Sequence, residues 1–265
     1  MRCNWMTVSF AGTNELQQLV ALTNVVIEQD TNKFTAGKAV YTGTNGLLEL
    51  TENPTWHSGP RSGKGHLIQV RTEPDEMFVK GNASVRLPAA ELGEPLTPGS
   101  GPPNKQRTKG ATDQFADVFC EDYTLRQDSA IFRGGVYVSH TNMNWACESL
   151  TVQSIPGGKV LTAEQGVVFD LIDEHGQKIH GTGNKAIYTN SITGSVTNDL
   201  LTLFGTSAKP AVLTSTNGTT FHNPVIILDR VSGNISGPGP EFRITGTNAV
   251  ANTNLFLSPL RKSKP

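Results

Sequence analysis

Two stretches of this chain repeat one order of residues. The first covers residues 37–54 (GKAVYTGTNGLLELTENP) and the second covers residues 183–210 (GNKAIYTNSITGSVTNDLLTLFGTSAKP). Each has two short apolar runs around a polar turn, with a small insertion in the second turn. The matching residues are Ala39, Tyr41, Leu48, Leu50 and Pro54 in the first stretch, and Ala186, Tyr188, Leu201, Leu203 and Pro210 in the second. Internal repetition of this kind indicates two copies of one supersecondary unit.

The composition favours strands over helices. The chain has 27 Gly and 15 Pro, with 36% hydrophobic and 17% charged residues. Such a mixture is typical of many short strands joined by turns. Apolar and polar residues alternate in a series of short runs, and the best helix candidate, residues 15–22, is short and poorly capped. We therefore predict an all-β fold.

The pattern of strands is interrupted at residues 88–114, where Pro, Gly and charged residues dominate. This composition predicts a linker or a long loop. We predict a first repeat at residues 1–87, a second repeat at residues 115–257 and a basic tail at residues 258–265. The second copy has extra strands in front, at residues 115–140. We therefore expect the first copy to be truncated at its N-terminus and the chain to be a fragment.

Charge, hydropathy and cysteine usage exclude several classes of protein. With 22 Lys and Arg against 23 Asp and Glu, the net charge is −1, which argues against nucleic acid as a partner. No apolar run is long enough for a membrane-spanning helix or the core of a signal peptide. The three cysteines form no CxxC pair. Cys3 and Cys147 occupy equivalent places in the two copies, so we interpret them as small packed thiols.

Residues that could carry catalysis do not form a recognisable motif. The six histidines show no zinc-binding spacing, and His175 and His180 flank a polar hairpin near Asp170, where exposed turn residues are expected. There is no GxSxG elbow. Residues 59–65 resemble a phosphate loop but lack its GK[ST] ending. We predict that the protein is not an enzyme and has no metal site and no cofactor.

Several motifs resemble those of the OstA/LptA-like (organic-solvent-tolerance) repeat. They are GKAVYT, LLELTENP, FRGGVYV, TGNKAIYT, LLTLFG and VIILDRVSGNISGPG. That repeat has a strand ending in Gly-Asn-Val, a "kAxY" strand, an "LxLxGxPxv" strand and an Ile-x-hydrophobic-Asp strand before a Gly-containing turn. The resemblance covers nearly the whole chain outside residues 88–114. Here Glu52 replaces the first Gly of Gly-Asn-Pro, and Gly135 replaces the Asn of Gly-Asn-Val.

The resemblance implies a fold and a function. Two tandem repeats would form a twisted, V-shaped (taco-like) antiparallel β-jellyroll with an apolar groove. The protein would be a non-catalytic module that holds the acyl chains of lipopolysaccharide or a similar acylated lipid. It would belong to a periplasmic bridge to the outer membrane, and its other partners would be OstA/LptA-like jellyroll proteins stacked on its edge strands. The implied location is the periplasm.

Alternation along the strands selects the side chains that would line such a groove. They are Leu48, Leu50, Ile68, Val70, Phe132, Val136, Val138, Val167, Phe169, Leu201, Leu203, Ile226 and Leu228. The same alternation fits a closed core, which would make the protein a β-rich structural or interaction scaffold without a lipid ligand. A third interpretation is a polysaccharide-active β-solenoid enzyme. The sequence pattern alone does not separate a groove from a core.

Overall fold

The computed structural model describes residues 1–12, 15–92, 115–172, 178–193, 196–206, 208–216, 218–230, 232–238 and 243–245. Its strands are β1 (Trp5–Ala11), β2 (Glu15–Gln29), β3 (Asn32–Thr42), β4 (Leu47–Thr51), β5 (Thr55–Ser58), β6 (Arg61–Lys64), β7 (Leu67–Thr72), β8 (Asp75–Pro88), β9 (Phe115–Arg126), β10 (Ser129–His140), β11 (Met143–Ile155), β12 (Gly158–Ile172), β13 (Lys178–Thr193), β14 (Val196–Phe204), β15 (Ala211–Ser215), β16 (Thr220–Asn223), β17 (Val225–Asp229), β18 (Asn234–Ser236) and β19 (Arg243–Thr245). Short 3₁₀ turns occur at Gly43–Asn45 and Ala89–Leu92.

The predicted all-β antiparallel fold is confirmed. The described strands form one sheet, and their pairings are antiparallel. Residues 15–22, the helix candidate, lie in β2. Among the described residues there is no helix with the length and apolarity needed to cross a membrane. The last residues of the predicted second repeat, 246–257, and the predicted basic tail at residues 258–265 lie outside the described residues.

A line of backbone corners crosses the sheet and folds it into a V. In β2, β8, β10 and β12, two consecutive residues with positive φ coincide with a shift in the pairing register. An extra residue at such a bulge bends the strand. The corner residues are Thr23 and Asn24, Gly81 and Asn82, Gly134 and Gly135, and Gln165 and Gly166, with Glu52 and Asn53 at the matching corner between β4 and β5. The bulge in β10 therefore lies at two consecutive glycines.

The crease, as we call this line, divides the sheet into two half-sheets. Half-sheet 1 runs through β1, β2, β3, β4, β7, β8, β9, β10, β11, β12, β13, β14, β17 and β18. Half-sheet 2 runs through the other ends of the long strands and through β5, β6, β15, β16 and β19. The hairpin turns lie on the two free rims, away from the crease.

The hydrogen-bonding register of the first part of the chain recurs in the second. In β3, Ala39 pairs with Leu50 and Leu50 pairs with Ile68. In β13, Ala186 pairs with Leu203, which in turn pairs with Ile226. Four of the five residue matches from the sequence therefore keep the same register. The fifth shifts by one residue: by strand pairing, Pro54 corresponds to Ala211 and not to Pro210. The second copy has a longer segment here, between Leu203 and Ala211.

The two parts of the chain share one continuous sheet. β9 pairs with β8 on one side and with β10 on the other, and β10 pairs with β11. Residues 88–92 belong to the fold, although the composition predicts a linker or loop that begins at residue 88. Pro88 ends β8, and the turn that follows buries Ala89 and Leu92. Residues 93–114 lie outside the described residues.

Candidate functional site on the inner face of the V

The buried face of both half-sheets forms one apolar core inside the V. The thirteen predicted groove residues all lie on this face, and eleven of them are at most 7% exposed. Leu48 and Val70 are only partly buried. Val136, Val138, Val167 and Phe169 lie on half-sheet 2, and the other nine lie on half-sheet 1.

Along half-sheet 1 the inner side chains form two parallel rows. The deep row, next to the crease, runs through paired residues that are fully buried. In order they are Ala21, Ala39, Leu50, Ile68, Val79, Tyr123 and Phe132. The rim row lies two residue pairs nearer the free rim, because the pair between the rows faces outward. In order it contains Val8, Leu19, Tyr41, Leu48, Val70, Met77, Leu125 and Ala130.

Exposure rises from the deep row to the rim row. Members of the deep row are inaccessible to solvent, whereas Leu19, Leu48, Val70, Met77, Leu125 and Ala130 are partly buried and Val8 is exposed. Neighbouring strands are about 4.8 Å apart, so this apolar strip is about 30 Å long. Sequence reasoning found only Leu48 and Val70 of the rim row, because the others become neighbours only through strand pairing.

The rim row continues into the second part of the chain, where its side chains are buried. There, Val152, Leu161, Tyr188, Leu201 and Leu228 follow one another in the pairing, and each is buried. The inner face is therefore most accessible beside the first eight strands of half-sheet 1, from β1 to β10. At the boundary between the open and closed portions, side chains of both half-sheets surround a cavity of about 90 Å³.

The cavity has an apolar floor and a charged mouth. Trp56, Val85, Leu87, Leu125, Phe132 and Val152 form the apolar surface. Arg61, Arg126, Lys159, Glu91 and Asp128 form the charged surface. Arg61 Nε is 2.8 Å from Glu91 Oε2, and Lys159 Nζ donates a hydrogen bond of 2.6 Å to the main-chain oxygen of Glu91. Desolvation lowers the pKa of Lys159, and the neighbouring Arg61 acts in the same direction against the opposing effect of Glu91.

Two tryptophans on the inner face differ in their polar contacts. Trp56 of half-sheet 2 donates its indole N–H to the Tyr123 hydroxyl of half-sheet 1 at 2.7 Å. Trp145 packs against Phe169, with ring centroids 5.5 Å apart. Among the described residues, its buried indole nitrogen has no hydrogen-bond partner. Sequence reasoning identified neither residue, because an indole's partner depends on the distance between the half-sheets.

The histidines and cysteines discussed from the sequence lie either on the outer face or in the core. His180 Nδ1 lies 2.8 Å from Asp170 Oδ1 across β12 and β13, and both side chains are exposed on the outer face. His175 lies outside the described residues. Cys147 is buried and its predicted equivalent, Cys3, packs partly buried against the core. Within the described ranges no group of three or more His, Cys, Asp or Glu side chains is placed to hold a metal ion.

The fold and the inner face define an all-β protein with a folded sheet and an apolar interior. No protein-family model and no curated protein matches the chain. Among solved structures it is similar to LptH, the LptA-homologous periplasmic component of the lipopolysaccharide transport device of Pseudomonas aeruginosa. The match has 16% identity and a TM-score of 0.39, and it covers 49% of this chain and 93% of that chain. At this level the likeness carries no argument about function.

Proposed function

We propose that the protein is a non-catalytic lipid-binding module that holds acyl chains of lipopolysaccharide, or of a similar acylated lipid, along the inner face of the V. The observation that carries this proposal is the rim row. It is a continuous apolar strip, solvent-accessible at its outer side and backed by a fully buried deep row. Exposed apolar strips of this extent are typical of binding surfaces.

The hydrophobic effect supplies enough free energy for such binding without any catalytic chemistry. Each buried CH₂ contributes about 0.8 kcal/mol, so about ten methylenes laid along the rim row contribute about 8 kcal/mol. The cavity at the end of the row is about 90 Å³, whereas ligand pockets usually measure about 300–1,000 Å³. Full insertion of a chain therefore requires the half-sheets to separate about the crease.

The free edge of β1 supports the second part of the proposal, stacking on other jellyroll proteins in a periplasmic bridge. β1 pairs with β2, and its opposite edge meets no strand among the described residues. Trp5 and Phe10 are 74% and 60% exposed. Unpaired edges recruit strands from other chains. A partner strand that pairs with β1 in the way that β10 pairs with β11 would extend both the sheet and its inner face.

Native mass spectrometry of the protein purified from a Gram-negative host tests the lipid proposal. We expect adducts of lipid A mass that organic extraction removes. A double variant, Leu48→Asn with Val70→Asn, changes two partly exposed rim-row residues and leaves the fully buried core unchanged. We expect this variant to lose most of the adduct. Val168→Asn is the matched control, because Val168 is 38% exposed on the outer face of β12.

A closed scaffold is the second candidate function, and the tight burial of the deep row favours it. It predicts an apoprotein that binds no added lipopolysaccharide, with equal behaviour of the rim-row variant and the Val168→Asn control. Lipid adducts that persist in the rim-row variant would place the binding surface elsewhere on the protein and contradict the proposed groove.

A further inference from the structure

The short turn at Ala89–Leu92, which we call the latch, joins the rims of the two half-sheets. It follows β8 at the rim of half-sheet 2. Lys159, at the opposite rim beside the hairpin of β11 and β12, donates its hydrogen bond to the Glu91 main-chain oxygen. Leu92 is 2% exposed and forms part of the cavity wall with Leu125 and Val152. The latch therefore closes the V at the point where the accessible portion of the rim row ends.

The latch has the chemistry of an anionic amphiphile. Its Glu91 carboxylate engages Arg61, with both oxygens within 2.9 Å of the guanidinium Nε. Its Leu92 side chain is buried and lines the apolar part of the cavity. A lipid with a carboxylate or phosphate head and an acyl tail would present the same two groups in the same order.

The surrounding charges favour an anion at this position. Arg61 and Lys159 are the two cations that the latch engages directly. The third cation at the mouth, Arg126, pairs with Glu76 at 2.8 Å. Asp128 also faces the cavity and accepts a hydrogen bond from the Ser129 hydroxyl. If Glu91 moved out, Arg61 and Lys159 would lose their contacts with the latch, and Asp128 would remain as the opposing charge. Burial partly removes water from the ammonium group of Lys159 and lowers its pKa, so a new anionic neighbour would stabilise the charged form of this group.

We propose that the latch is an internal, displaceable occupant of a binding site for the head of an anionic amphiphile, with Arg61 and Lys159 receiving the head and the Leu92 cavity receiving the start of the acyl chain. This inference rests on the proposed function, because the chain would continue along the rim row. Competition by the latch reduces the apparent affinity to the intrinsic affinity multiplied by the fraction of molecules in which the latch is displaced. The latch would thus keep the interior closed until an amphiphile with an anionic head arrives.

Fluorescence titration with cis-parinaric acid, a fluorescent fatty acid, tests the inference on the full chain. Leu92→Ser removes the apolar anchor of the latch and keeps both cations. We expect it to bind the probe about tenfold more tightly than the parent protein, a difference of about 1.4 kcal/mol. Glu91→Gln, which removes only the carboxylate, should shift affinity in the same direction. Val168→Asn should leave the affinity unchanged.

The contribution of the two cations to binding is tested in the Leu92→Ser variant, in which the latch has lost its apolar anchor. Adding Arg61→Gln and Lys159→Gln to Leu92→Ser should return the affinity to the parent value or below. Dodecyl phosphate should displace the probe from Leu92→Ser. Dodecyltrimethylammonium, with the same tail and a cationic head, should displace it poorly. Equal displacement by both detergents would overturn the assignment of an anionic head site.

The inference and the proposed function fail in different ways. If the probe binds the parent and Leu92→Ser equally tightly, the latch does not compete and the inference is wrong, while acyl binding in the groove stands. If no variant binds the probe and lipid A adducts are absent, both are wrong and the inner face is a closed core.

Discussion

Trp56 and Tyr123 join the two half-sheets through a hydrogen bond inside the apolar core, and the Tyr123 hydroxyl donates a longer one of 3.5 Å to the main-chain oxygen of Ser84. Trp56 Nε1 lies 2.7 Å from Tyr123 Oη, and the bond passes over Gly63, where any Cβ would overlap both atoms. Burial raises the pKa of Tyr123, while the bond to Trp56 acts in the opposite direction. The bond thus satisfies two polar groups in an apolar interior and fixes the distance between the half-sheets.

Tyr123→Phe should lower the free energy of unfolding by about 1–3 kcal/mol, because it leaves the buried indole N–H of Trp56 without its acceptor. Chemical denaturation measures the loss. A double-mutant cycle with Trp56→Phe isolates the coupling between the two side chains. Additive effects of the two substitutions would contradict a stabilising bond across the interior.

Trp145→Phe should destabilise the protein less than Trp56→Phe does. Both substitutions remove similar apolar area from the core. However, the Trp145 indole nitrogen has no partner among the described residues, so its removal relieves a desolvation penalty of about 1–3 kcal/mol. The same denaturation experiment compares the two variants. A larger loss for Trp145→Phe would mean that its N–H has a bonding role.

Phe10→Lys should reduce self-association of the protein if β1 is a docking edge. Charged side chains, Lys above all, block pairing on an open edge. Sedimentation velocity over a range of concentrations measures the change. Phe119→Lys is the matched control: Phe119 is 47% exposed, but its strand, β9, is paired on both sides. If the parent protein is monomeric at every concentration tested, the β1 edge does not mediate self-association.

The unfolding free energy should fall as the pH rises above about 9, partly because of the two buried thiols. Burial raises the pKa of both Cys120 and Cys147 from 9.0 to about 12. The unfolded chain therefore loses these protons first, and the stability due to the neutral thiols is lost as the pH rises from the unfolded pKa towards the folded one. Denaturation at pH 8 and pH 10.5 measures the slope. Replacing both cysteines by Ala should make the slope shallower, whatever the change in absolute stability.

The alternating strands, the bulge at Gly134 and Gly135, and the match of Leu48 and Leu50 with Leu201 and Leu203 could be predicted from the sequence. All of these are local, because alternation and turn residues act over a few positions. The inward orientation of the thirteen selected side chains followed from the same alternation. Whether these side chains line an acyl-binding groove is still a prediction.

The role of residues 89–92 could not be predicted, since they lie at the start of a Pro- and Gly-rich segment. The sequence signal for their burial is the spacing of Ala89 and Leu92, which places both side chains on one side of a single turn. Leu92 shares a cavity wall with Val152, and the adjacent Glu91 is bonded to Lys159; both partners are distant in the chain. Such contacts have no trace in local composition.

Met6 and Leu150 show the division between sequence and tertiary structure most directly. Met6 pairs with Ala21 in β1, and Leu150 pairs with Ala163 in β11, so the sequence by itself determined that both face inward at the same register. Met6 is 48% exposed and Leu150 is 1% exposed. The difference arises because β10 lies beside β11 and covers Leu150 with Phe132, whereas the described strands include no neighbour on the corresponding side of β1. Periodicity sets the direction of a side chain, but its burial depends on the neighbouring strand that the tertiary fold supplies.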